Sequence, residues 1–326
     1  MRRTCSAVIF GCVSTLALLA SDARPTAVLW EPPGKIGVAD WIWGPGGEQR
    51  APQPPFQFIS EDFKGTNPKI RVRDAKGDQW VVKFGGERHS DVFAPRLLHA
   101  CGYFGQATYF VANGVVTGVT ELKRAKPFVS KNGRFEYARF KLRDRKSLVH
   151  AEDRAWSWVD NPFLRTHELS GLKILVMLIS NWDAKDARED SNSNLAVFSE
   201  QKPPGRLLYA VDDWGSSMGK WGGFFERDKW DAAGYQKQTK DFVKGVKAGV
   251  IDWGYEGKHD EDIKNGISVE DVRWLLQYLS AISDEELSAG LRASGASEPD
   301  VASFTRSIRD RIRQLENISK TAAARR

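Results

Sequence analysis

Residues Glu168–Ser180 (ELSGLKILVMLIS) are apolar on nearly every side of a helix. A helix with no polar face has to be enclosed by other elements, so the chain must build a core thick enough to surround it. The segments before it are strand material. Phe56–Ile59 and Lys69–Arg73 alternate, and Gln79–Phe84 is rich in β-branched and aromatic residues. Gly77-Asp78 supplies a hairpin turn between the last two. A helix opened by Ser90 and closed by Gly102 follows, with Ala94, Leu97, Leu98 and Cys101 on one face and Pro95 close to its start. Thr108–Ala112 and Val115–Leu122 read as two strands around an Asn113-Gly114 turn. After the enclosed helix come two short apolar strands, Leu195–Phe198 and Leu207–Val211. Three helical patterns end the chain: one after Ser268 with Val272, Leu275, Leu276 and Leu279 on a face, one opened by the capping box Ser283–Glu286, and one with the stripe Val301, Phe304, Ile308, Ile312 and Leu315. The expected fold class is α+β, a strand-rich N-terminal lobe and a helical C-terminal lobe.

The organisation expected from this is a leader over 1–23, an irregular Pro-, Gly- and Trp-rich lead-in over 24–55, the first lobe over 56–124, the helical lobe over 125–320 and a tail over 321–326. Arg2 and Arg3, the apolar run Ala7–Ala20 and Ser21-Asp22-Ala23 have the order of a secretory signal peptide. The run is shorter than the roughly 20 residues that span a bilayer. Export to a periplasm or to the outside is therefore expected with no transmembrane span in the mature chain, and Cys12 offers a lipoprotein anchor as a second route. Cys5 and Cys12 fall in the leader, which leaves Cys101 alone, in apolar company and without a disulfide partner. The net charge of +6 comes from 48 Lys and Arg interspersed with 42 Asp and Glu. Without a concentrated basic stripe, nucleic acid is not an expected partner. The five histidines show no H-E-x-x-H spacing, and G-x-S-x-G does not occur, so neither a zinc hydrolase nor a serine hydrolase is indicated.

Three segments can carry chemistry. Val81-Val82-Lys83-Phe84 sets a lysine in an apolar strand, where it either faces solvent or needs an anion beside it. Ile179–Asp186 (ISNWDAKD) runs off the enclosed helix and is followed by Asn192-Ser193-Asn194. An aspartate held there can orient or deprotonate a hydroxyl, a nearby lysine can steady phosphate charge, and an asparagine can bind metal. The alternative is a polar loop with capping carboxylates. Tyr209–Gly215 (YAVDDWG) ends an apolar strand with two carboxylates, the usual hard-oxygen ligands of Mg²⁺.

In this order, strand lysine, helix acid, Asp with a following Asn, then Asp-x-Gly, the sequence resembles the protein-kinase-like superfamily. Asn181-Trp182-Asp183-Ala184-Lys185 is similar to the catalytic loop of HipA-type kinases. Gly65-Thr66-Asn67-Pro68-Lys69 resembles the short phosphate loop of those enzymes and of phosphoinositide kinases, and an exported chain of this kind is similar to secretory-pathway kinases. The resemblance covers roughly residues 56–216. It implies a two-lobed kinase-like fold, ATP and Mg²⁺ as cofactors, and a phosphoacceptor, protein or small molecule, as partner. By the same resemblance Lys83 would bind the α/β-phosphates with Asp91 (or Glu87) as its acid. Gly65, Thr66, Asn67 and Lys69 would cover the phosphates, Asp183 and Lys185 would be catalytic, and Asn194 (or Asn192) and Asp213 (or Asp212) would hold the metal. The sequence departs from the pattern in lacking G-x-G-x-x-G, and five residues after Asp183 stands Arg188 where an asparagine is usual. Those departures support a second expectation, a non-catalytic pseudokinase or interaction module. The 12 tryptophans, among them Trp214, Trp221, Trp230 and Trp253, support a third, an exported carbohydrate- or envelope-binding protein.

Overall fold

The computed structural model describes residues 25–35, 39–189, 193–202, 205–222 and 227–323. The expected leader, with Cys5 and Cys12, and Asn192 lie outside them. The strand signals condense into a closed five-stranded barrel of β2 (Phe56–Asp62), β3 (Lys69–Arg73), β4 (Gln79–Lys83), β5 (Thr108–Thr117) and β6 (Arg134–Leu142). Its order is β2-β3-β4-β6-β5, and a short parallel pairing of β2 with β5 closes it. Alternate residues fill the interior: Ile70, Val72, Trp80, Val82, Phe135 and Phe140 are all buried there. The β3–β4 turn is set by Asp74, whose carboxylate accepts the backbone N–H groups of Lys76 and Asp78, with Gly77 at φ +81°.

Two expectations change here. Thr108–Thr117 is one continuous strand through Asn113-Gly114, each residue of which pairs with β6. Gly114 is needed for room: a Cβ there would stand 2.6 Å from the Phe135 ring, so the dipeptide answers to packing rather than to a turn. The strand-rich part also runs on through β6 to Leu142, past the boundary expected at residue 124.

The second core is larger and helical. It packs α2 (His167–Leu178) among α5 (Val269–Leu279), α6 (Asp284–Ala293) and α7 (Glu298–Ala323), with α3 (Ala232–Thr239) and α4 (Asp260–Lys264) at its side. Leu172, Ile174, Leu175, Val176, Met177 and Leu178 of α2 are each at most 1% exposed, the enclosure its composition demands. Thr166 caps α2, and Ser268 and Ser283 open α5 and α6 with reciprocal capping boxes. Each such cap contributes on the order of 1 kcal/mol. The α7 stripe Val301, Phe304, Ile308, Ile312 and Leu315 is buried throughout.

Helix α1 (Arg88–Ala100) joins the two halves. It follows the barrel strand β4, yet Phe93, Ala94, Leu97, Leu98 and Cys101 pack into the helical core. It starts two residues before Ser90, and Ser90 sits in its first turn with its hydroxyl on the Glu87 and Gly215 carbonyls. Gly102, at φ +88°, ends it, and the Tyr103 N–H reaches back to the Leu98 carbonyl. The lead-in is more ordered than its composition suggests. Thr26–Val28 forms β1, parallel to β9 (Arg206–Val211), in a sheet of order β1-β9-β8-β7 with β8 (Leu195–Glu200) and β7 (Leu148–His150). Farther along, Trp41 enters the core, and the buried Arg96 of α1 donates to the Trp41 and Ile42 carbonyls. A hairpin, β10 (Val243–Lys247) with β11 (Val250–Trp253), lies between α3 and α4. Among the described residues no helix is long and apolar enough to cross a membrane.

Candidate functional site

The site forms where the last turn of the barrel meets the loops of the helical half. Trp80, Val82 and Phe84 point into the barrel, so the alternation of the strand aims Lys83 the other way, toward α1. Its ammonium is buried and lies 2.8 Å from Glu87, 2.8 Å from Asp91 and 3.5 Å from Asp213. Of the two readings of this lysine, solvent-facing or paired with an anion, the paired one is observed. Both candidate helix acids are engaged: Glu87 is also held by Lys229, and Asp91 by Arg139 at 3.0 Å and by the Trp214 N–H at 3.2 Å. Burial pulls the Lys83 pKa down, but the carboxylates of Asp213, Asp91 and Glu87 more than reverse that and hold the ammonium well above its usual range. Burial likewise pushes the Asp213 carboxyl up, and Lys83, Lys141 and the Gly215 N–H override it to keep the group far below the ordinary carboxylate range.

Cations line one face of the barrel. Lys69, Lys83 and Arg139 stand side by side in register across β3, β4 and β6, and Lys141 follows two residues after Arg139. Burial first, and then Lys83 and Arg139, hold the Lys69 ammonium below its ordinary range despite Asp62 and Asp213. Like charges directly opposite one another repel, so this row favours an anion in front of it. The loop Gly65-Thr66-Asn67 lies at the same end of the barrel. Gly65 takes φ +66°, and Lys69 Nζ is 3.7 Å from where a Gly65 Cβ would stand. Arg124 grips the loop through the Phe63 and Thr66 carbonyls.

Asp183 lies on the loop leaving α2, with Lys185 Nζ 3.1 Å from its Oδ2. Asn194 donates from Nδ2 to the Asp183 carbonyl and stands 3.5 Å from its carboxylate. Backbone bonds lace this loop to the Asp213 segment. Asp212 N–H donates to the Asn194 carbonyl at 2.7 Å, Trp182 N–H to Ser216 at 3.2 Å, and Met218 N–H to Ile179 at 2.7 Å, while Asn181 Nδ2 reaches the Asp213 carbonyl at 3.2 Å. The two segments singled out from the sequence are therefore one unit. Asp212 and Asp213 part company in it: Asp212 pairs with Lys141 at 2.8 Å, while the Asp213 side chain, 43% exposed, faces Lys83 and the opening.

No protein-family model matches the sequence, and no curated protein matches it. Solved structures do. The Helicobacter pylori proinflammatory kinase CtkA is 11% identical, over 79% of this chain and 94% of that one, with a TM-score of 0.45. The Golgi casein kinase with Mn/ADP bound is 12% identical over 81% and 72%, TM-score 0.35. The same kinase in another structure is 11% identical over 82% and 74%, TM-score 0.33.

Sequence reasoning passed over Arg139, Lys141 and Lys229. The first two sit in a stretch expected to be helical, where strand β6 breaks its own alternation at Tyr137, a residue at φ +52°. Buried Phe135 is followed by buried Ala138, Phe140 and Leu142, a three-residue step and then twos, which hides the strand period. The usable signal was the close of that stretch, where apolar Phe140 and Leu142 alternate with the cations Arg139 and Lys141. Asp186, in the same loop as Asp183, is fully buried and binds Arg188 and the Trp158 N–H, an anchoring role. Of the tryptophans named for sugar stacking, Trp214, Trp221 and Trp253 are buried, and Trp230 stacks on His89 at 4.8 Å.

Proposed function

We propose that this protein is an ATP-dependent phosphotransferase of the protein-kinase-like kind, acting on a protein or small-molecule acceptor. The observation that carries the reading is the Lys83 ammonium, held by acids at the start of α1 and facing the part-exposed Asp213 carboxylate. A cation fixed in that way is pre-aimed at an anion entering past Asp213, and the neighbouring Lys69, Arg139 and Lys141 extend the positive face.

Mg²⁺ fits the donors present. Glu87, Asp91 and Asp213 bring their oxygens within 4.8 Å of one another, but Glu87 and Asp91 are spoken for by Lys83, Arg139 and Lys229. Asp213 is the carboxylate with room for a hard cation, Asp212 brings a buried Oδ1 with no hydrogen-bond partner, and Asn194, whose Nδ2 is engaged, has Oδ1 to offer. When bound, the ion would neutralise phosphate charge. The chain itself does the rest. Lys83 and Lys69 bind phosphate oxygens, and Gly65-Thr66-Asn67 closes over them with backbone N–H groups. Asp183 orients the acceptor hydroxyl and takes its proton, and Lys185, already on that carboxylate, steadies the charge of the transferring group.

The test is thermal unfolding with and without Mg-ATP, together with transfer of label from ATP to candidate acceptors or to the protein itself. Ligand at 100 times its dissociation constant adds about 2.7 kcal/mol. The reading expects a Mg-dependent shift that Lys83→Ala and Asp213→Ala abolish, and transfer that Asp183→Ala abolishes while the shift stays. Full transfer by Asp183→Ala would remove its assigned role. A pseudokinase is the second reading, favoured by the turn of Asn194 onto Asp183. It expects no label transfer under any condition and weak or no Mg-ATP binding. Export to a periplasm or beyond remains part of the proposal, and fractionation of cells producing the full chain tests it.

A further inference from the structure

Arg311 lies on α7, far along the chain from every residue of the site, and is fully buried. Its guanidinium meets no carboxylate among its hydrogen-bond partners. Nη1 donates to the Leu178 carbonyl at 2.9 Å, the Met177 carbonyl at 3.3 Å and Ser180 Oγ at 2.8 Å. Nη2 donates to the Tyr235 carbonyl at 3.2 Å and Nε to Thr239 Oγ1 at 3.1 Å. The charge sits over the Tyr235 ring at 3.8 Å and near Trp221 at 4.7 Å. A buried cation without a counter-ion is costly. Here the negative end of the α2 dipole compensates it through the Leu178 and Met177 carbonyls, the first shared with the Tyr235 hydroxyl and the second with the Ser180 N–H.

The place it caps matters. At Ser180 the chain turns out of α2 through φ +54°, a left-handed conformation that costs a non-glycine residue about 1 kcal/mol. Asn181, Trp182 and Asp183 follow directly. We propose that Arg311 is a positioning residue for Asp183: by holding the last carbonyls of α2 and the Ser180 hydroxyl together, it sets the angle at which the loop leaves the helix and meets the Asp213 segment. The assignment deepens, and rests on, the phosphotransfer reading.

Arg311→Met keeps an unbranched side chain against the aromatic rings and removes every donor. In amide hydrogen exchange the peptide spanning 178–184 is expected to exchange at least tenfold faster in this variant, with 79–91 unchanged and the Mg-ATP shift retained. Transfer is expected to fall at least tenfold in kcat at unaltered KM for ATP, with partial recovery in Arg311→Lys. Should Arg311→Met not fold, Ser180→Ala, which deletes one of the bonds, is expected to raise exchange at 178–184 alone. Unchanged exchange there, or an equal rise across the whole chain, would overturn the proposal. A wild type that transfers nothing yet shows the local exchange signature would overturn phosphotransfer while leaving the loop placement standing.

Discussion

Arg139 grips Asp91 with both Nε and Nη2, at 3.1 and 3.0 Å, so the strand that completes the barrel is clamped to the helix carrying the acids. The same Asp91 oxygen lies 2.8 Å from Lys83, and its other oxygen takes the Trp214 N–H. One carboxylate thus joins the barrel, α1 and the segment after β9.

Asp91 and Glu87 therefore differ in weight although both touch Lys83. Removing Asp91 takes from the buried Arg139 its carboxylate partner and from Lys83 one of three acids, whereas removing Glu87 leaves Lys83 with Asp91 and Asp213 and releases only the half-buried Lys229. Breaking a buried pair costs about 3–5 kcal/mol, so Asp91→Ala is expected near that range and Glu87→Gln at about 1–2 kcal/mol. Chemical denaturation of the two variants decides it. An Asp91→Ala that unfolds no earlier than Glu87→Gln would contradict the assignment.

Gly215 is required by space. A Cβ there would stand 2.4 Å from Glu87 Oε2 and 2.9 Å from Glu87 Cβ. Gly215→Ala is expected to displace Glu87 from Lys83 and cost about 1–3 kcal/mol, the range for overpacking. Combining it with Glu87→Ala removes the carboxylate part of the clash and leaves only the approach to the Cβ at 87, so the double variant is expected to lose less than the two single losses added together. Additive losses would point to some other origin.

His89 gives the fold a pH dependence above the carboxylate range. Burial lowers its pKa from 6.5 to about 4, only partly offset by its bond to the Ser294 carbonyl, with Arg88 and Asp300 as charged neighbours. Because the folded value is depressed, the contribution is full above about pH 6.5 and is lost as pH falls toward 4, amounting to about 3 kcal/mol at most. Denaturant midpoints of wild type and His89→Phe at pH 7.5 and 4.5 measure it. The wild type is expected to lose more stability over that interval than the variant, and equal losses would assign the dependence elsewhere.

Lys141 is expected to bias the choice between the adjacent aspartates. It holds Asp212 through both its carboxylate and its carbonyl, at 2.8 and 2.7 Å. Lys141→Met frees Asp212, and the Mg²⁺ dependence of the ATP-induced thermal shift is then expected to become less sensitive to Asp213→Asn than it is in the wild-type background. Undiminished sensitivity would show that Asp212 does not substitute.

Much of this was legible in the residues because strong local rules agreed with the fold. A lysine among Val81, Val82 and Phe84 could be buried only beside acids, and the enclosed helix had to end in a polar loop close to other polar loops. The α5 pattern carried a cap and a stripe, α6 a capping box and α7 a stripe. What stayed hidden depended on tertiary context. Asn113-Gly114 has the composition of a turn, and only the ring of Phe135 explains why glycine sits mid-strand. Glu87 and Asp91 were both plausible as the helix acid, since nothing local shows that Lys83 would take both. Arg311, in a helix that also carries the exposed Arg306 and Arg313, looks in sequence like another solvated charge, and its burial is decided by aromatic residues about seventy or more positions away.

The Arg96 bonds to Trp41 and Ile42 have a practical reach. That guanidinium is 3% exposed and hangs from the helix that presents Glu87 and Asp91. A fragment begun at the first barrel strand would leave it facing its own core with those two acceptors gone. Residues 39–43 are thus the floor on which the acid-bearing helix stands, and trimming them for convenience would tilt the floor under the very groups such a fragment would be made to study.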